Sequence, residues 1–261
     1  MIIDELKNRE VLSAPAAVRY GFISLKQNIV SVLIILLIIY FPINVLRAYI
    51  AFGLVGIESR IDITNILSDT ELMQNFIMSP EYIKILIYNM SDMLVQFALV
   101  PFGSMAVIYV AKEAFEGRST GYKEALAAAF SNGGRFFVSM AVYVLCTGLL
   151  LILGIIPGVI LGVIWYFYLF AVVLDDCPGI SSLGRSRELV KGRWFKTLLY
   201  IIVFLCMDYV AGYIISSLFM FASGTYFAVI MSGLLSSLFG MVIAAAETAV
   251  YIFYKNNMAV K

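Results

Sequence analysis

The chain has no histidine, only three cysteines in 261 residues, and 13% charged side chains, where a soluble domain carries about a quarter. Each scarcity closes off a class of function. Without histidine there is no Ser–His or Cys–His nucleophile pair, no imidazole metal ligand and no imidazole proton relay. Cys146, Cys177 and Cys206 are not paired at metal or redox spacing, and two lie in apolar runs, so they read as small apolar fillers. A Walker-type glycine loop, G-x-S-x-G, H-E-x-x-H and the Rossmann fingerprint are all missing. Basic residues flank apolar runs instead of forming a stripe with aromatics, which argues against a nucleic-acid partner. No cofactor and no metal site is expected: Asp175 and Asp176 lack further ligands nearby and read as a solvated turn.

Apolar residues are abundant instead, at 62%, with a mean hydropathy of +0.96. No polar stretch is long enough to build a soluble domain, so the bulk solvent of this chain is lipid. A spanning helix takes roughly 20 mainly apolar residues. Six runs qualify: about 28–52 with a kink expected at Pro42, about 82–111, 136–156, 158–174, 195–221 and 226–254. Pro157 and Gly158 mark the turn from the third run to the fourth, and Ser223–Thr225 the turn from the fifth to the sixth. The first run follows a charged segment and outlasts a signal peptide, so it is expected to stay as an anchor. The fold class is all-α and polytopic, a single membrane domain over 1–261.

Threading follows from lysine and arginine placement. Lys7, Arg9, Arg19 and Lys26 precede the first run. Lys112, Arg118, Lys123 and Arg135 lie between the second and third. Arg185, Arg187, Lys191, Arg193 and Lys196 lie between the fourth and fifth, and Lys255 and Lys261 follow the sixth. Of the 18 basic residues that leaves Arg47, Arg60 and Lys84 for the other side, facing Glu58, Asp62, Asp69, Glu71 and Glu81. Both termini are therefore expected in the cytoplasm, with the acidic 54–81 loop facing outward.

An amphipathic elbow precedes each odd-numbered span. Val18, Phe22, Leu25 and Ile29 share one helical face, as do Tyr122, Leu126 and Ala129–Phe130, and Ile180, Leu183, Val190 and Trp194. The chain thus reads as three parallel elbow-plus-hairpin units, about 1–111, 112–174 and 175–261. Arg135, Arg187, Lys191, Arg193 and Trp194 are candidate contacts for anionic headgroups or for a protein partner at the cytoplasmic face. The plainer alternative is a set of solvated loops that merely obey the charge rule. Small residues recur every four positions at Ser232, Ser236, Gly240, Ala244 and Thr248, and at Gly154, Gly158 and Gly162. That period suits close helix packing within the chain, with a dimer face as the alternative; the oligomeric state itself is left open. The aromatic run Trp165–Phe170 reads as an interfacial belt.

Three acids fall inside spans: Asp92, Asp208 and Glu247. At about 1.5 Å per residue, Asp208 lies roughly 18 Å and Asp92 roughly 15 Å along their helices, near mid-depth, with Glu247 shallower. An ionised Asp at the centre of a span costs roughly 2.5–3.5 kcal/mol, so such groups face the bundle interior and find partners. No Lys or Arg is expected at matching depth, Arg47 being placed at the interface. The acids either fix helix register by hydrogen bonding or line a polar path or headgroup pocket.

The stretch from Leu153 to Leu199 joins an Ile156-Pro157-Gly158 hairpin, an aromatic helix, an acidic turn and an elbow carrying Ser186, Leu189, Lys191, Gly192 and Trp194. It resembles the membrane domain attached to some bacterial glycerophosphoryl diester phosphodiesterases, and related stand-alone six-helix membrane proteins of Gram-positive bacteria. The resemblance implies a polytopic bacterial protein. It does not transfer hydrolase activity, which resides in a separate barrel with histidine and acidic metal ligands. The expectation is a non-enzymatic membrane protein, a lipid-associated accessory or scaffold subunit of an envelope process. The alternative is a small transporter or permease subunit that uses Asp92, Asp208 and Glu247.

Overall fold

Apolar runs bounded by small polar or charged residues become helices in the computed structural model, which describes residues 5–6, 11–55, 70–177, 179–222 and 225–258. Among these residues there is no strand. In chain order the helices are α1 (Ala14–Gln27), α2 (Ile29–Gly53), α3 (Thr70–Ile77), α4 (Pro80–Phe115), α5 (Tyr122–Ser131), α6 (Gly133–Leu153), α7 (Ile155–Leu174), α8 (Ser181–Val190), α9 (Trp194–Leu218) and α10 (Tyr226–Asn256). Six of them, α2, α4, α6, α7, α9 and α10, are long and apolar enough to cross a membrane. Arg60, Glu58, Asp62, Asp69, the side chain of Glu71, Lys7, Arg9, Lys261 and Ser223 lie outside the described residues, as does most of the acidic loop.

Local sequence sets the helix starts. Ser13 caps α1 by accepting from the Ala16 amide at 3.4 Å, Ser79 caps α4 by accepting from Tyr82 at 3.2 Å, and Thr225 caps α10 by accepting from Ala228 at 3.2 Å. Pro15 and Pro80 occupy first-turn positions, where a missing N–H costs nothing. Gly192, at φ +76°, lets the chain reverse between α8 and α9.

Three spans are interrupted. α2 widens into a π turn at Leu36–Tyr40, just ahead of Pro42, where a kink is expected. α4 breaks at Leu99, ahead of Pro101. α7 stops at Ile164 and resumes at Tyr168, and Ser186 of α8 fills the gap by accepting from the Phe167 amide at 3.0 Å and donating to the Ile164 carbonyl at 2.9 Å. The turn between α6 and α7 centres on Gly154, with Pro157 already inside α7, so the reversal comes three residues earlier than the Pro-Gly pair suggests.

The core gathers at one end of the bundle, where Asp175 at the end of α7 joins Arg185 of α8 to Lys255 near the end of α10 (the basic end). There α1 lies across α10 with no room for a side chain between them. A Cβ on Gly21 would stand 2.6 Å from the Ala246 nitrogen. The buried face of α1 is Ala17, Tyr20, Gly21, Ser24 and Leu25, while Phe22 and Ile29 of the expected stripe are exposed. Close approach of two backbones selects small residues, and the large apolar ones are left to face lipid. From Met241 to Tyr254 almost every residue of α10 is buried, whereas from Tyr226 to Gly240 only Ala228 is. Among the described residues the bundle is a packed plug in one half and open in the other.

The aromatic run of α7 belongs to the plug. Phe167 and Phe170 are buried against Tyr251, with ring centroids 5.8 and 6.0 Å away, and so form core instead of the expected interfacial belt.

Candidate functional site

The open half holds a polar cavity of about 590 Å³ between α2, α4, α9 and α10, within the size range of small-molecule sites. α2 supplies Tyr40, Asn44 and Arg47, at offsets of 4 and 3 that place them on one face after the π turn. The break in α4 puts Gln96 and Ser104 on the same wall. α9 contributes Asp208 and Ser216. α10 contributes Ser232, Gly233, Ser236, Ser237 and Gly240. The small-residue stripe of α10 therefore divides. Ala244 and Thr248 pack in the plug, but Ser232, Ser236 and Gly240 line the cavity, and nothing lies within 4 Å of a Cβ on Gly240. Close packing is not the role of Gly240: it keeps space open. Gly233 is small because Asn44 points at it. Gly158, by contrast, meets the Leu151 side chain at 2.5 Å, and Gly154 and Gly162 make looser contacts within the same α6–α7 hairpin.

The cavity runs from Arg47, Tyr88 and Ser216, near the end of the spans remote from the basic end, to Tyr40, Asp208 and Gly240. Asp208 is ten residues from the end of α9 at Leu218, or about 15 Å of helix. The floor therefore lies near mid-membrane, and below it α10 is sealed by the plug.

Arg47 is not alone at the interface. It forms a two-pronged ion pair with Asp92, Nε to Oδ1 at 2.6 Å and Nη2 to Oδ2 at 3.1 Å, which corrects the expectation of no cation at matching depth. Glu247 stands apart from both. It accepts a short hydrogen bond from the Tyr166 hydroxyl inside the plug, two helical turns past Gly240 on α10. Asp208 faces the cavity, and among the described residues no Lys, Arg or hydrogen-bond donor reaches its carboxylate. The structure thus brings Asp208 and the Arg47–Asp92 pair to one cavity and separates Glu247 from them.

Three hydroxyls and one amide of the wall donate to protein oxygens. Ser104 donates to the Val100 carbonyl at 3.5 Å, Ser232 to Val229 at 3.2 Å and Ser237 to Gly233 at 2.7 Å. Asn44 donates through Nδ2 to the Tyr40 carbonyl at 2.8 Å and to Ser237 Oγ at 3.2 Å. Their protons are engaged by protein oxygens, so what remains for a ligand is oxygen lone pairs.

At the basic end, the Asp175 turn is no solvated loop. Asp175 accepts from Arg185 Nε at 2.7 Å and from Lys255 Nζ at 2.6 Å, tying the end of α7 to α8 and α10. Burial alone would raise its pKa, but the two cations outweigh that and hold it below the ordinary 3.8. Its burial and its charge push the neighbouring Cys177 thiol upward. The expected headgroup contacts fare unevenly. Arg193 is engaged internally: it donates to the carbonyls of Tyr254, in the last turn of α10 (3.1 Å), and of Asn257, just past it (3.2 Å), and lies over the Tyr254 ring, so it caps a helix C-terminus. Trp194 donates to the Ile160 carbonyl at 3.3 Å, and Arg135 reaches Asp176 at 3.5 Å. Arg187 and Lys191 are exposed.

Asn44, Gln96, Ser104, Ser216 and Ser237 escaped the sequence reading, and Ser232 and Ser236 were expected to pack helices, not to line a cavity. Polar residues at helical spacing on α2 could have flagged them: Tyr40, Asn44 and Arg47 interrupt an otherwise apolar run. Among the described residues no group of His, Cys, Asp or Glu is arranged to hold a metal.

The family described as a domain of unknown function, DUF7847, matches residues 78–255, and the chain belongs to that family. No curated protein and no solved structure matches. The match begins after α2, so Tyr40, Asn44 and Arg47 come from outside it.

Proposed function

We propose that this DUF7847 protein is a non-enzymatic, multi-pass protein of the bacterial plasma membrane that holds the polar part of a lipid or similar amphiphile in its cavity, as an accessory to an envelope process. One observation carries the reading: a polar cavity within the spans that lies in the half remote from the basic residues and ends at mid-depth against the buried part of α10. With the termini in the cytoplasm, as the lysine and arginine placement implies, it lies at the depth of the outer leaflet. Helix α9, which buries only Thr197 and Phe204, forms a thin wall through which an acyl chain can stay in lipid while its headgroup enters. A binding role suits the wall chemistry better than catalysis, because Ser104, Ser232 and Ser237 donate to their own helices and not to a base. The residues that carry the phosphodiesterase-domain resemblance build the α6–α7 turn and α8, and none lines the cavity.

Native mass spectrometry of protein purified in mild detergent tests this. Wild type is expected to retain lipid stoichiometrically, and Ser236→Phe, which fills the cavity, to release it. Equal retention by both would refute the cavity as the lipid site.

A transporter subunit is the second reading, favoured by the Tyr166–Glu247 pair beyond the cavity floor, the next polar step toward the basic end. It requires solute flux in reconstituted vesicles that Glu247→Gln abolishes. The accessory reading expects no flux from either protein.

A further inference from the structure

Two features of the cavity bear on what enters it. The first is charge. Arg47 and Asp208 are the charged residues of its lining, and the guanidinium of Arg47 is already neutralised by the two-pronged contact with Asp92 at 2.6 and 3.1 Å. The uncompensated charge is the Asp208 carboxylate. In a low-dielectric surround an unpaired carboxylate is costly and a cation beside it offsets that cost. The second is hydrogen-bond polarity. The hydroxyls of Ser104, Ser232 and Ser237 and the amide NH₂ of Asn44 donate to protein oxygens, so these groups present acceptors to the cavity. An anion would meet the lone pairs of these groups and the Asp208 carboxylate, with the donors of Gln96, Ser216, Ser236 and Tyr88 elsewhere on the wall. A protonated amine would meet a carboxylate and a ring of acceptors for its N–H groups.

We infer that the cavity selects an ammonium-bearing ligand, with Asp208 as the counter-ion and Ser232 and Ser237 of α10 as acceptors, and that Arg47 is a positioning residue for Asp92 and not an anion receptor. This rests on the cavity reading above and sharpens it: the headgroup carries an amine. The amine can come from a lipid or from a free solute.

Saturation-transfer NMR on the full chain in deuterated detergent distinguishes these cases, with ethanolamine as the cationic probe and glycerol 3-phosphate as the anionic one. Ethanolamine is expected to show transfer in wild type, to lose it several-fold in Asp208→Asn and to keep it in Asp208→Glu, with glycerol 3-phosphate silent throughout. Thermal unfolding confirms that each variant is folded. Displacement of ethanolamine by added phosphatidylethanolamine, but not by phosphatidylglycerol, assigns the amine to a lipid. Failure of that displacement keeps the cation selectivity and counts against the lipid. Transfer to glycerol 3-phosphate alone, or ethanolamine transfer unchanged in Asp208→Asn, overturns the inference while lipid retention in the mass spectrometer still supports the cavity. Silence from both probes overturns it as well. Loss of lipid retention with ethanolamine binding intact would instead refute the amphiphile and spare the cation site.

Discussion

Substituting alanine for glycine inside a helix normally stabilises it by about 1 kcal/mol, through lower backbone entropy in the unfolded chain. Gly21 and Gly184 both lie in elbow helices, α1 and α8, and the structure assigns them opposite signs. At Gly184 nothing lies within 4 Å of the added methyl, so Gly184→Ala should gain roughly that 1 kcal/mol. At Gly21 the methyl would stand 2.6 Å from the Ala246 nitrogen and 3.0 Å from the Ala245 carbonyl carbon. Those are backbone atoms of a helix buried on that side, and they cannot swing away as a side-chain tip could. Separating α1 from α10 by several tenths of an ångström loosens the contacts of Ala17, Tyr20 and Leu25 together. Overpacking of this kind costs about 1–3 kcal/mol and outweighs the propensity gain. The cysteines supply the assay: a thiol-reactive fluorophore reports unfolding in detergent as partly buried Cys146 and Cys177 become reactive. Gly184→Ala should unfold a few degrees above wild type and Gly21→Ala a few degrees below it. A Gly21→Ala protein as stable as Gly184→Ala would show that α1 does not cross α10 at this point, and the account of the plug would fail with it.

Asp175→Asn leaves Arg185 and Lys255 without their shared acceptor, and should cost about 1–3 kcal/mol in the same assay, the lower end reflecting the exposure of Lys255. Because the Asp175 pKa is held below its ordinary 3.8, its stabilisation is complete above that value and is lost only as pH falls through the folded value. Unfolding between pH 7 and 5 should therefore leave the stability gap between wild type and Asp175→Asn unchanged, and a gap that closes by pH 5 would contradict the pairing. Arg47→Gln or Asp92→Asn alone strands a partly buried charge and should cost about 3 kcal/mol, while the double variant should cost less than the sum; strictly additive losses would mean the two do not interact. Cysteine labelling of intact cells should reach a cysteine placed at Lys84 but not one placed at Lys191, and the reverse pattern would invert the threading.

The six spans and the position of the elbows were legible because both are periodic, local patterns. The contacts that define the cavity were not. Arg47 and Asp92 lie 45 residues apart, and their meeting depends on the π turn at Leu36–Tyr40, which rotates the end of α2 by an amount that a regular 3.6-residue period cannot supply. The stripe on α10 showed small residues at the right spacing, but small residues serve both to admit a neighbouring backbone and to leave a void. Only the neighbours decide, and they differ between Ala244 and Gly240. On α1 the amphipathic phase was misleading because hydrophobicity marks the lipid-facing side as strongly as the core side. Gly21 and Ala17, unremarkable on a hydropathy scale, are the residues that α10 touches. Asp175 looked like a turn acid because its partners, Arg185 and Lys255, arrive from two other helices.

The asymmetry of α10 bears on membrane voltage. Water filling the cavity when no ligand occupies it would carry the potential of one bath down to Asp208, so the drop that an ordinary protein spreads over about 30 Å of hydrocarbon would fall mainly across the sealed half. A unit charge that crosses the whole potential gains about 2.3 kcal/mol per 100 mV. Here an ion at Asp208 would have felt little of it, while the Tyr166–Glu247 pair sits in the steep part of the field.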